Sequence, residues 1–259
     1  MRAAGYNVGV DVKGESKMES VHADLRANRL LALLDDATLQ AVAAQLEPVP
    51  LTLRQNLYEE RQIMSHAWFP AEGVLSVLAA TSAADTPIEV GTIGAEGMLG
   101  LAVFFGAQES PGRVFVQVEG RGWRITAQAL RDCIEAHSGL RHVLQRYAHA
   151  LMAQISQSTA CNRVHSVEQR CARWLLQTHD RVRGDVFELT QEFLGHMLGE
   201  RRATVNQVAT TLQERGLIRY TRGRIEVKDR SGLEAVACGC YRFVQEEFAR
   251  VLQRPVGSP

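Results

Sequence analysis

The sequence predicts an α+β protein built, in chain order, from an antiparallel β roll, one long helix and a C-terminal unit of helices with a β hairpin. Three observations support this fold class. Short β-rich runs separated by Gly, Pro and Asp fill residues 48–125, and a helical apolar stripe follows Thr126. Two further helical patterns joined by a glycine turn then precede a hairpin.

The composition is that of a globular protein with enough apolar side chains for one large or two small domains. Of its 259 residues, 46% are hydrophobic and 22% are charged. The longest apolar runs, such as Val74 to Ala80, are far shorter than the ~20 residues of a membrane-spanning helix. The first twenty residues lack the apolar core of a signal peptide, and the five cysteines are scattered. We therefore expect a cytoplasmic protein with reduced cysteines and no membrane partner.

The first half is expected to form a flexible tail over residues 1–24 and a β roll over residues 25–137. Two short helices should precede the strands, because the helical spacing of leucines is broken at Asp35 and Asp36. The strand runs are PLTLRQNLY, GVLSVLAA, PIEVGTIG and RVFVQVEGRGWRI. Turn residues at close intervals between such runs are typical of an antiparallel roll or barrel.

A long helix is predicted from Ser138 to about Asn162, inside a segment of residues 138–163 that ends in a hinge. One apolar stripe runs along it with spacings of 4, 3, 4 and 4: Leu140, Leu144, Tyr147, Leu151 and Ile155. A stripe of this kind more often packs against its own domain than against a second copy, so the periodicity leaves both partners open.

The C-terminal domain is assigned to residues 164–240, followed by a tail over residues 241–259. It begins with the amphipathic helix VEQRCARWLLQTHDRV. The segment LTQEFLGHMLGERRATVNQVATTLQERGLI then predicts two helices joined at Gly199, a residue type that readily adopts the left-handed conformation at a helix end. Two helices with so tight a turn form a helix-turn-helix. The hairpin LIRYTRGRIEVKD follows directly, with RGR at its tip.

The outward positions of the second helix decide what this motif can touch. Val205 and Val208 fix the inward face, which leaves Arg202, Ala203, Asn206 and Gln207 toward solvent. Arginine pairs with guanine in the major groove, and Asn or Gln pairs with adenine. Over residues 201–230, eight basic residues stand against three acidic ones, which favours a polyanionic partner. A helical hairpin used only for packing would leave this excess and the arginine-tipped wing unexplained.

From about Leu25 to Tyr241 the chain resembles the Crp/Fnr family of bacterial transcription regulators. The motifs that carry the resemblance are the helix-turn-helix with its wing, AWFPAEGVLSVL in the roll, and NRVHSVEQRCARWLL before the helix-turn-helix. The resemblance implies a cyclic-nucleotide-binding-like β roll of jelly-roll type, a C-terminal winged helix-turn-helix, and a homodimer joined along the stripe of the long helix. The implied partners are double-stranded DNA with a roughly palindromic site, its half-sites about 34 Å apart, and RNA polymerase.

Carried over by position, the resemblance implies that Thr190 contacts phosphate and that Arg202 reaches a guanine. The cyclic-AMP-receptor and oxygen-sensing branches have a glutamate where this chain has Ala203, which can pack on a thymine methyl. Their last base-reading arginine corresponds to Gln207, so the preferred DNA sequence should differ from theirs. Further phosphate contacts are expected from Arg201, Thr204, Arg222 and Arg224.

The resemblance also implies an effector pocket in the roll, which is degenerate in this chain. The ribose-binding segment corresponds to Gly97, Met98, Leu99 and Gly100, without the glutamate of the cyclic-AMP-receptor branch. Glu96 could replace it only after a one-residue shift. Arg113 lies near the position of the phosphate-binding arginine, but the two residues after it carry no hydroxyl. Cyclic AMP is therefore not expected, and the effector is unknown.

No cofactor and no metal are expected. The first cysteine is Cys133, so the N-terminal iron–sulfur cluster of the oxygen-sensing branch is excluded. The remaining cysteines lack the Cys-X2-Cys spacing of a strong metal site and are expected to pack in cores: Cys161, Cys171, Cys238 and Cys240. Surface or interface positions are likewise expected for the histidines near the long helix rather than haem ligation: His137, His142 and His149. Trp68 and Phe69 should fill the core of the roll.

The leading interpretation is a homodimeric DNA-binding regulator. The alternative is a ligand-gated sensor whose roll binds a cyclic nucleotide or cyclic dinucleotide to control DNA binding. An enzyme is not expected, because the chain has no P-loop, no Gly-X-Ser-X-Gly and no His-Glu-X-X-His.

Overall fold

The computed structural model describes residues 23–79 and 88–252. Its parts follow the predicted order: an antiparallel β roll, a long helix and a winged helix-turn-helix. The predicted fold class is therefore confirmed. The flexible tail expected over residues 1–24 lies, except for its last two residues, outside the described part of the chain.

The roll consists of two antiparallel sheets, one with the strand order β1-β7-β3 and the other with the order β2-β6-β4-β5. The strands are β1 Glu47–Leu51, β2 Asn56–Tyr58, β3 His66–Pro70, β4 Val74–Ala79, β5 Ile88–Ile93, β6 Arg113–Val118 and β7 Gly120–Thr126. Trp68 and Phe69 lie in the core of the roll, as expected, together with the almost fully buried Leu75 and Ile125.

Three features of the roll differ from the predicted runs. The run PLTLRQNLY contains the end of β1 and the whole of β2, which belong to different sheets. Strand β3 is absent from those runs, because the stretch HAWFP is short and ends in a proline. The run RVFVQVEGRGWRI is two strands rather than one: it breaks at Glu119, and β6 and β7 belong to different sheets.

Short helices surround the strands: a 3-10 helix Leu31–Leu33, α1 Asp36–Ala43, α2 Leu101–Phe104 and α3 Ala127–Ala136. The helix break predicted at Asp35 is confirmed. Its carboxylate caps α1 by accepting a hydrogen bond from the Thr38 N–H at 2.9 Å. A cap of this type stabilises a helix by about 1 kcal/mol.

The long helix α4 spans Ser138–Val164 and contains 27 residues. Its predicted stripe faces the chain's own roll: Leu140, Leu144 and Tyr147 are each at most 1% exposed. Leu151 and Ile155 are half-buried. Periodicity identifies a buried face without identifying what buries it, and here the first three members of the stripe are covered by the chain itself.

The C-terminal domain has a separate core around α5 Val167–His179 and the helix-turn-helix. The remaining elements are β8 Val186–Glu188, α6 Gln191–Leu198, α7 Arg202–Glu214, β9 Ile218–Thr221, β10 Arg224–Val227, α8 Arg230–Val236 and α9 Cys240–Leu252. The three strands form one antiparallel sheet of order β8-β10-β9.

Helix α9 corrects one sequence-based assignment. Residues 241–259 were expected to form a tail, but the part up to Leu252 is helical and packs along α4. Val244, Phe248 and Val251 bury its apolar face in the core of the roll. Their spacing of 4 and 3 is helical, so the sequence contained the signal. No helix among the described residues is both long and apolar enough to cross a bilayer.

Candidate nucleic-acid interface

The two helices of the helix-turn-helix are joined by the turn that the sequence predicts. Gly199 ends α6 in the left-handed conformation, with φ 64° and ψ 33°, and α7 begins three residues later at Arg202. Val205, Ala209 and Leu212 are buried in the domain core and fix the inward face of α7. The opposite face of α7 is therefore fixed toward solvent.

That solvent face carries the four side chains predicted to face bases. Arg202, Ala203, Asn206 and Gln207 are all exposed, and they lie within the first two turns of α7. Sequence reasoning missed one neighbour. The Gln191 amide, at the start of α6, donates a hydrogen bond to Asn206 Oδ1 at 2.7 Å and so restricts the Asn206 side chain.

The start of α7 departs from what helix stability alone would favour. Its N-cap residue, Arg201, makes no side-chain capping hydrogen bond, the first turn contains no acidic residue, and Arg202 follows directly. Positive charges at the positive end of a helix dipole are unfavourable by about 0.3–1 kcal/mol each. Local departures of this kind concentrate at functional sites, and here the result is a cationic helix tip facing solvent.

The wing is the hairpin of β9 and β10, closed by Arg222 and Gly223. Both residues have positive φ, 46° and 81°, the backbone of a two-residue hairpin turn. Arg222 and Arg224 are exposed, and Arg224 lies 3.5 Å from Glu188. The Leu189 N–H donates to the Gly223 carbonyl at 2.7 Å, which anchors the wing beside the start of α6.

Two of the remaining residues predicted to contact phosphate are less exposed to solvent. Thr190 is the N-cap of α6, where its hydroxyl oxygen accepts from the Phe193 N–H at 3.1 Å, and it is half-buried next to the wing. Thr204 is also half-buried, whereas Arg201 is exposed. The structure thus places the predicted groups along one strip from the tip of α7 to the wing.

The roll meets the C-terminal domain through a buried carboxylate. Glu89 on β5 accepts hydrogen bonds from the Trp174 indole N–H at 2.7 Å and from the Ser76 hydroxyl at 2.5 Å. Burial raises the pKa of Glu89 to about 7, although these two hydrogen bonds and the charges of Arg173 and Arg181 act in the opposite direction. This contact joins β5 directly to α5.

A second buried carboxylate lies at the same boundary with the opposite shift. Glu96 Oε1 accepts from Arg181 Nη2 at 2.7 Å and from Arg181 Nε at 2.9 Å, and both side chains are about 10% exposed or less. Burial acts to raise the pKa of Glu96, but the charge and hydrogen bonds of Arg181 outweigh it and the pKa is lowered. The Glu96 carboxylate is therefore occupied by its ion pair with Arg181 in this structure.

The predicted effector-pocket residues do not form one site. Met98 and Leu99 are buried, and Tyr147 of α4 donates to the Met98 carbonyl at 3.0 Å. A Cβ atom added at Gly97 would lie 2.5 Å from the Tyr147 hydroxyl oxygen, and one added at Gly100 would lie 2.6 Å from the Ala67 Cβ. Side chains of the chain itself therefore fill the space beside the loop of residues 97–100.

Arg113 lies elsewhere, at the exposed start of β6. It hydrogen-bonds to Asn56 at 3.3 Å and lies 3.7 Å from Glu59. Together with α6 residues it lines a cleft between the roll and the helix-turn-helix.

Four potential metal ligands, which sequence spacing did not connect, come together at the end of α4. The ligand atoms of Cys161, His165, Cys238 and Cys240 all lie within 4.8 Å of one another. No metal was expected because no pair of these cysteines has the Cys-X2-Cys spacing of a strong metal site. In the fold, residues as far apart as Cys161 and Cys238 converge. The Cys-X-Cys pair of Cys238 and Cys240 was the only hint of this cluster in the sequence. The other two potential ligands, Cys161 and His165, are brought to it by the fold.

Comparisons with known proteins agree with this architecture. Residues 169–236 match the family model described as a Crp-like helix-turn-helix domain. FixK2 from Bradyrhizobium japonicum is similar in structure, with a TM-score of 0.64, 12% identity, and coverage of 74% of this chain and 98% of that one. A putative Crp/Fnr-family transcriptional regulator from Eubacterium rectale has a TM-score of 0.62, 15% identity, and coverage of 78% and 94%.

A third similar structure is the c-di-GMP-responsive global regulator CLP from Xanthomonas campestris. Its TM-score is 0.60 at 14% identity, and the match covers 74% of this chain and 99% of that one. No curated protein matches the chain in sequence.

The resemblance to the Crp/Fnr family is confirmed by the helix-turn-helix match together with these structures. Residues 169–236 therefore match a Crp-like helix-turn-helix domain, and the chain as a whole shares the fold of a solved Crp/Fnr-family regulator.

Proposed function

We propose that this chain is a homodimeric, sequence-specific DNA-binding regulator of the Crp/Fnr type that reads the major groove with the start of α7. One observation carries the proposal. Four side chains able to contact base edges, Arg202, Ala203, Asn206 and Gln207, are exposed together at a cationic helix tip whose orientation is fixed by a buried face.

The base contacts follow from the chemistry of these side chains. Arg202 is assigned to a guanine, where its guanidinium can donate to O6 and N7 together. Asn206 and Gln207 are assigned to adenine edges, and Ala203 to a thymine methyl. The hydrogen bond from Gln191 holds Asn206 in one orientation before DNA arrives, which lowers the entropy lost on binding.

Phosphates on either side of the read bases are assigned to the exposed arginines of the helix tip and the wing: Arg201, Arg222 and Arg224. Thr190 and Thr204 are half-buried at the same strip and complete this set. Such contacts position the protein without specifying sequence, so they should contribute mainly to the salt dependence of binding.

We propose that the dimer forms through α4, but not through the whole predicted stripe. Leu140, Leu144 and Tyr147 are covered by the chain's own roll, whereas the later part of the helix is covered only in part, with Leu151 against the roll core. That part of the helix keeps apolar surface for a second copy. Leu151 and Ile155 are half-buried there, and the adjacent Met152 is 64% exposed. These three apolar side chains form the patch on which two copies would pair.

The domain division proposed from the sequence fits this function with one change. A roll over residues 25–137, a helix and hinge over 138–163 and a DNA-binding domain over 164–240 correspond to the two cores and the helix between them. Helix α9 is added to the helix segment, since it packs on α4 and on the core of the roll.

We propose that no cyclic mononucleotide binds at the loop of residues 97–100, because Tyr147 and Ala67 occupy the space against it. A larger cleft of about 630 Å³ lies between the roll and the C-terminal domain, and it contains several arginines. Two of them already pair with carboxylates of the same cleft, Arg181 with Glu96 and Arg183 with Glu72, and Glu119 and Asp180 add further negative charge. The cleft therefore offers little free positive charge to a phosphate.

The test is binding to a DNA site selected from random duplexes, measured by fluorescence anisotropy at several salt concentrations. Arg202→Ala should cost about 1–3 kcal/mol on the selected site and relax the preference at one base position. Arg224→Ala should weaken binding to all sequences alike and reduce the salt slope by about one.

Arg215→Ala is the matched control, since Arg215 lies at the other end of α7 and pairs with Glu168 at 2.8 Å. It should leave base preference unchanged. If Arg202→Ala and Arg215→Ala had the same effect on the selected site, the assignment of the reading helix would be wrong.

A further inference from the structure

The cysteines of this chain fall into two groups by their surroundings. Cys133 lies in the core of the roll and Cys171 in the core of the C-terminal domain, each among aliphatic and aromatic side chains. Cys161, Cys238 and Cys240 instead lie together outside both cores, where their sulfur atoms contact one another and polar side chains. Cysteines that serve as small apolar fillers should resemble the first group, so the second group needs another explanation.

The geometry of the second group matches a four-coordinate site. Cys161 Sγ and Cys238 Sγ are 3.4 Å apart, Cys240 Sγ and His165 Nδ1 are 3.5 Å apart, and no pair among the four ligand atoms exceeds 4.8 Å. A tetrahedral zinc ion with Zn–S bonds of about 2.3 Å holds its sulfur ligands about 3.8 Å apart. Small side-chain rotations would bring the four atoms to that spacing.

We propose that Cys161, His165, Cys238 and Cys240 form a Cys3His site for one zinc ion. Three thiolates and one imidazole are a ligand set of structural zinc sites, in which all four positions are filled by protein. The four atoms lie too close together to surround an iron–sulfur cluster, whose own irons and sulfides must fit between the ligands. A single ion is therefore the occupant.

The ligands come from two rigid segments. Cys161 and His165 are one helical turn apart at the end of α4, and His165 is the residue that ends this helix. Cys238 and Cys240 flank Gly239 in the tight connection between α8 and α9, where the Tyr241 N–H donates to the Cys238 carbonyl at 3.1 Å. The ligand atoms are thus held near one point by the backbone before any metal binds.

Neighbouring polar groups suit a thiolate-rich ion. The Gln157 amide, one turn before Cys161 on α4, donates to Cys240 Sγ at 3.0 Å. Such bonds orient metal-bound sulfur, and their loss typically weakens metal binding by about 10–100-fold. Three thiolates with Zn²⁺ and a neutral imidazole leave a net charge of −1, which requires compensation in a buried place.

That compensating charge is present in Arg173. Its side chain is buried and donates to Ser158 Oγ at 3.4 Å, one turn before Cys161, and to Gln177 Oε1 at 3.3 Å. Both partners are neutral, and its Nε has no hydrogen-bond partner. Glu89 also lies near enough for the charge of Arg173 to act on it, but the pKa of Glu89 is about 7, so at and below neutral pH the proposed site would supply the negative charge that a buried guanidinium needs.

A metal at this place would have a structural consequence for the regulator. It would join the C-terminal end of α4, directly before the DNA-binding domain begins, to the segment that leaves that domain. Helix α9 would thereby be fixed on α4 at its first residue. The proposal concerns the metal site alone and does not depend on the DNA contacts proposed above.

The experiment is metal analysis of the full chain, purified under reducing conditions without chelators. Elemental analysis by mass spectrometry should find about one zinc ion per chain. Cobalt added to the metal-free protein should give the intense visible absorption of a tetrahedral thiolate site. Cys238→Ser should lose the zinc, whereas the matched control Cys171→Ser, at a buried cysteine outside the cluster, should keep it.

Gln157→Met provides a variant that keeps all four ligands. It should weaken zinc binding by about tenfold or more in competition with a chromogenic chelator, and this readout is independent of whether Cys238→Ser folds. Two results would overturn the proposal. One is wild-type protein that binds neither zinc nor cobalt after full reduction, and the other is an intact-mass measurement showing that Cys161 and Cys238 are joined as a disulfide in the protein isolated from cells.

Discussion

Replacing Glu89 by glutamine should remove a large pH dependence of stability. In the folded chain the pKa of Glu89 is raised to about 7 by burial, against a usual value of 4.5. Between these two pH values the folded chain holds one more proton than the unfolded chain, so the free energy of unfolding falls as the pH rises. The difference corresponds to roughly 3 kcal/mol, because one pKa unit is worth about 1.4 kcal/mol.

Glutamine can retain both hydrogen bonds of the protonated acid. Its carbonyl oxygen can accept from the Trp174 indole, and its amide can donate to the Ser76 hydroxyl. Being neutral at every pH, it should remove the slope. We expect Glu89→Gln to match the wild type near pH 4.5 and to be more stable by about 3 kcal/mol at pH 8.

The assay is urea unfolding at four pH values between 5 and 8, followed by tryptophan fluorescence. Trp174 reports on the contact directly, because its indole N–H bonds to the Glu89 carboxyl group. Glu246→Gln serves as the control, since Glu246 is an exposed carboxylate on α9 and the variant should keep the wild-type pH profile. Parallel pH profiles for Glu89→Gln and the wild type would refute the assigned protonation.

Two further predictions concern the same half of the molecule. Glu96→Gln should cost about 3–5 kcal/mol at neutral pH because it leaves the charge of the buried Arg181 unpaired, and the loss should shrink on acidification below about 4.5. Glu72→Gln is the surface comparison: it removes ion pairs with Arg183 and Arg121, which are 83% and 47% exposed, and should cost at most about 1 kcal/mol in the same urea titration. Gly97→Ala should lower the free energy of unfolding by about 1–3 kcal/mol, because the added methyl group overpacks against Tyr147. A double-mutant cycle with Tyr147→Leu should show a coupling free energy of at least about 0.5 kcal/mol, and strict additivity would show that the two residues do not contact each other.

The parts of this fold that could be predicted from the sequence are those whose signals are local. The turn at Gly199, the wing closed at Gly223 and the helix break at Asp35 each depend on a few consecutive residues whose backbone preferences agree. The exposure of Arg202, Ala203, Asn206 and Gln207 could be predicted in the same way, because Val205 and its helical neighbours fix the buried face of α7. Such features need no knowledge of distant contacts.

Three of the features that sequence reasoning missed depend on which surfaces meet. The stripe through Tyr147 was correctly placed on one helix face, but periodicity does not say whether that face meets its own roll or a second copy. The partner of α9 was hidden for the same reason, although its helical pattern was present. The metal-ligand cluster required two segments 77 positions apart to converge, which no spacing rule describes.

Helix α5 connects the roll to the helix-turn-helix and could transmit a change in one to the other. The side chain of Trp174 on α5 hydrogen-bonds to Glu89 of the roll, Arg181 just beyond the end of α5 pairs with Glu96, and the proposed metal ligand His165 lies just before its start. Helix α5 also packs against α6 and α7, so a displacement of α5 must shift the helix-turn-helix. Three changes would each remove a different contact that holds α5 in place. They are ionisation of Glu89 above pH 7, rupture of the Glu96–Arg181 pair, and loss of the proposed metal. If α5 transmits the signal, Glu89→Gln and the wild type should bind DNA alike at pH 6 and diverge at pH 8, whereas a helix-turn-helix insensitive to the roll would give identical affinities at both pH values.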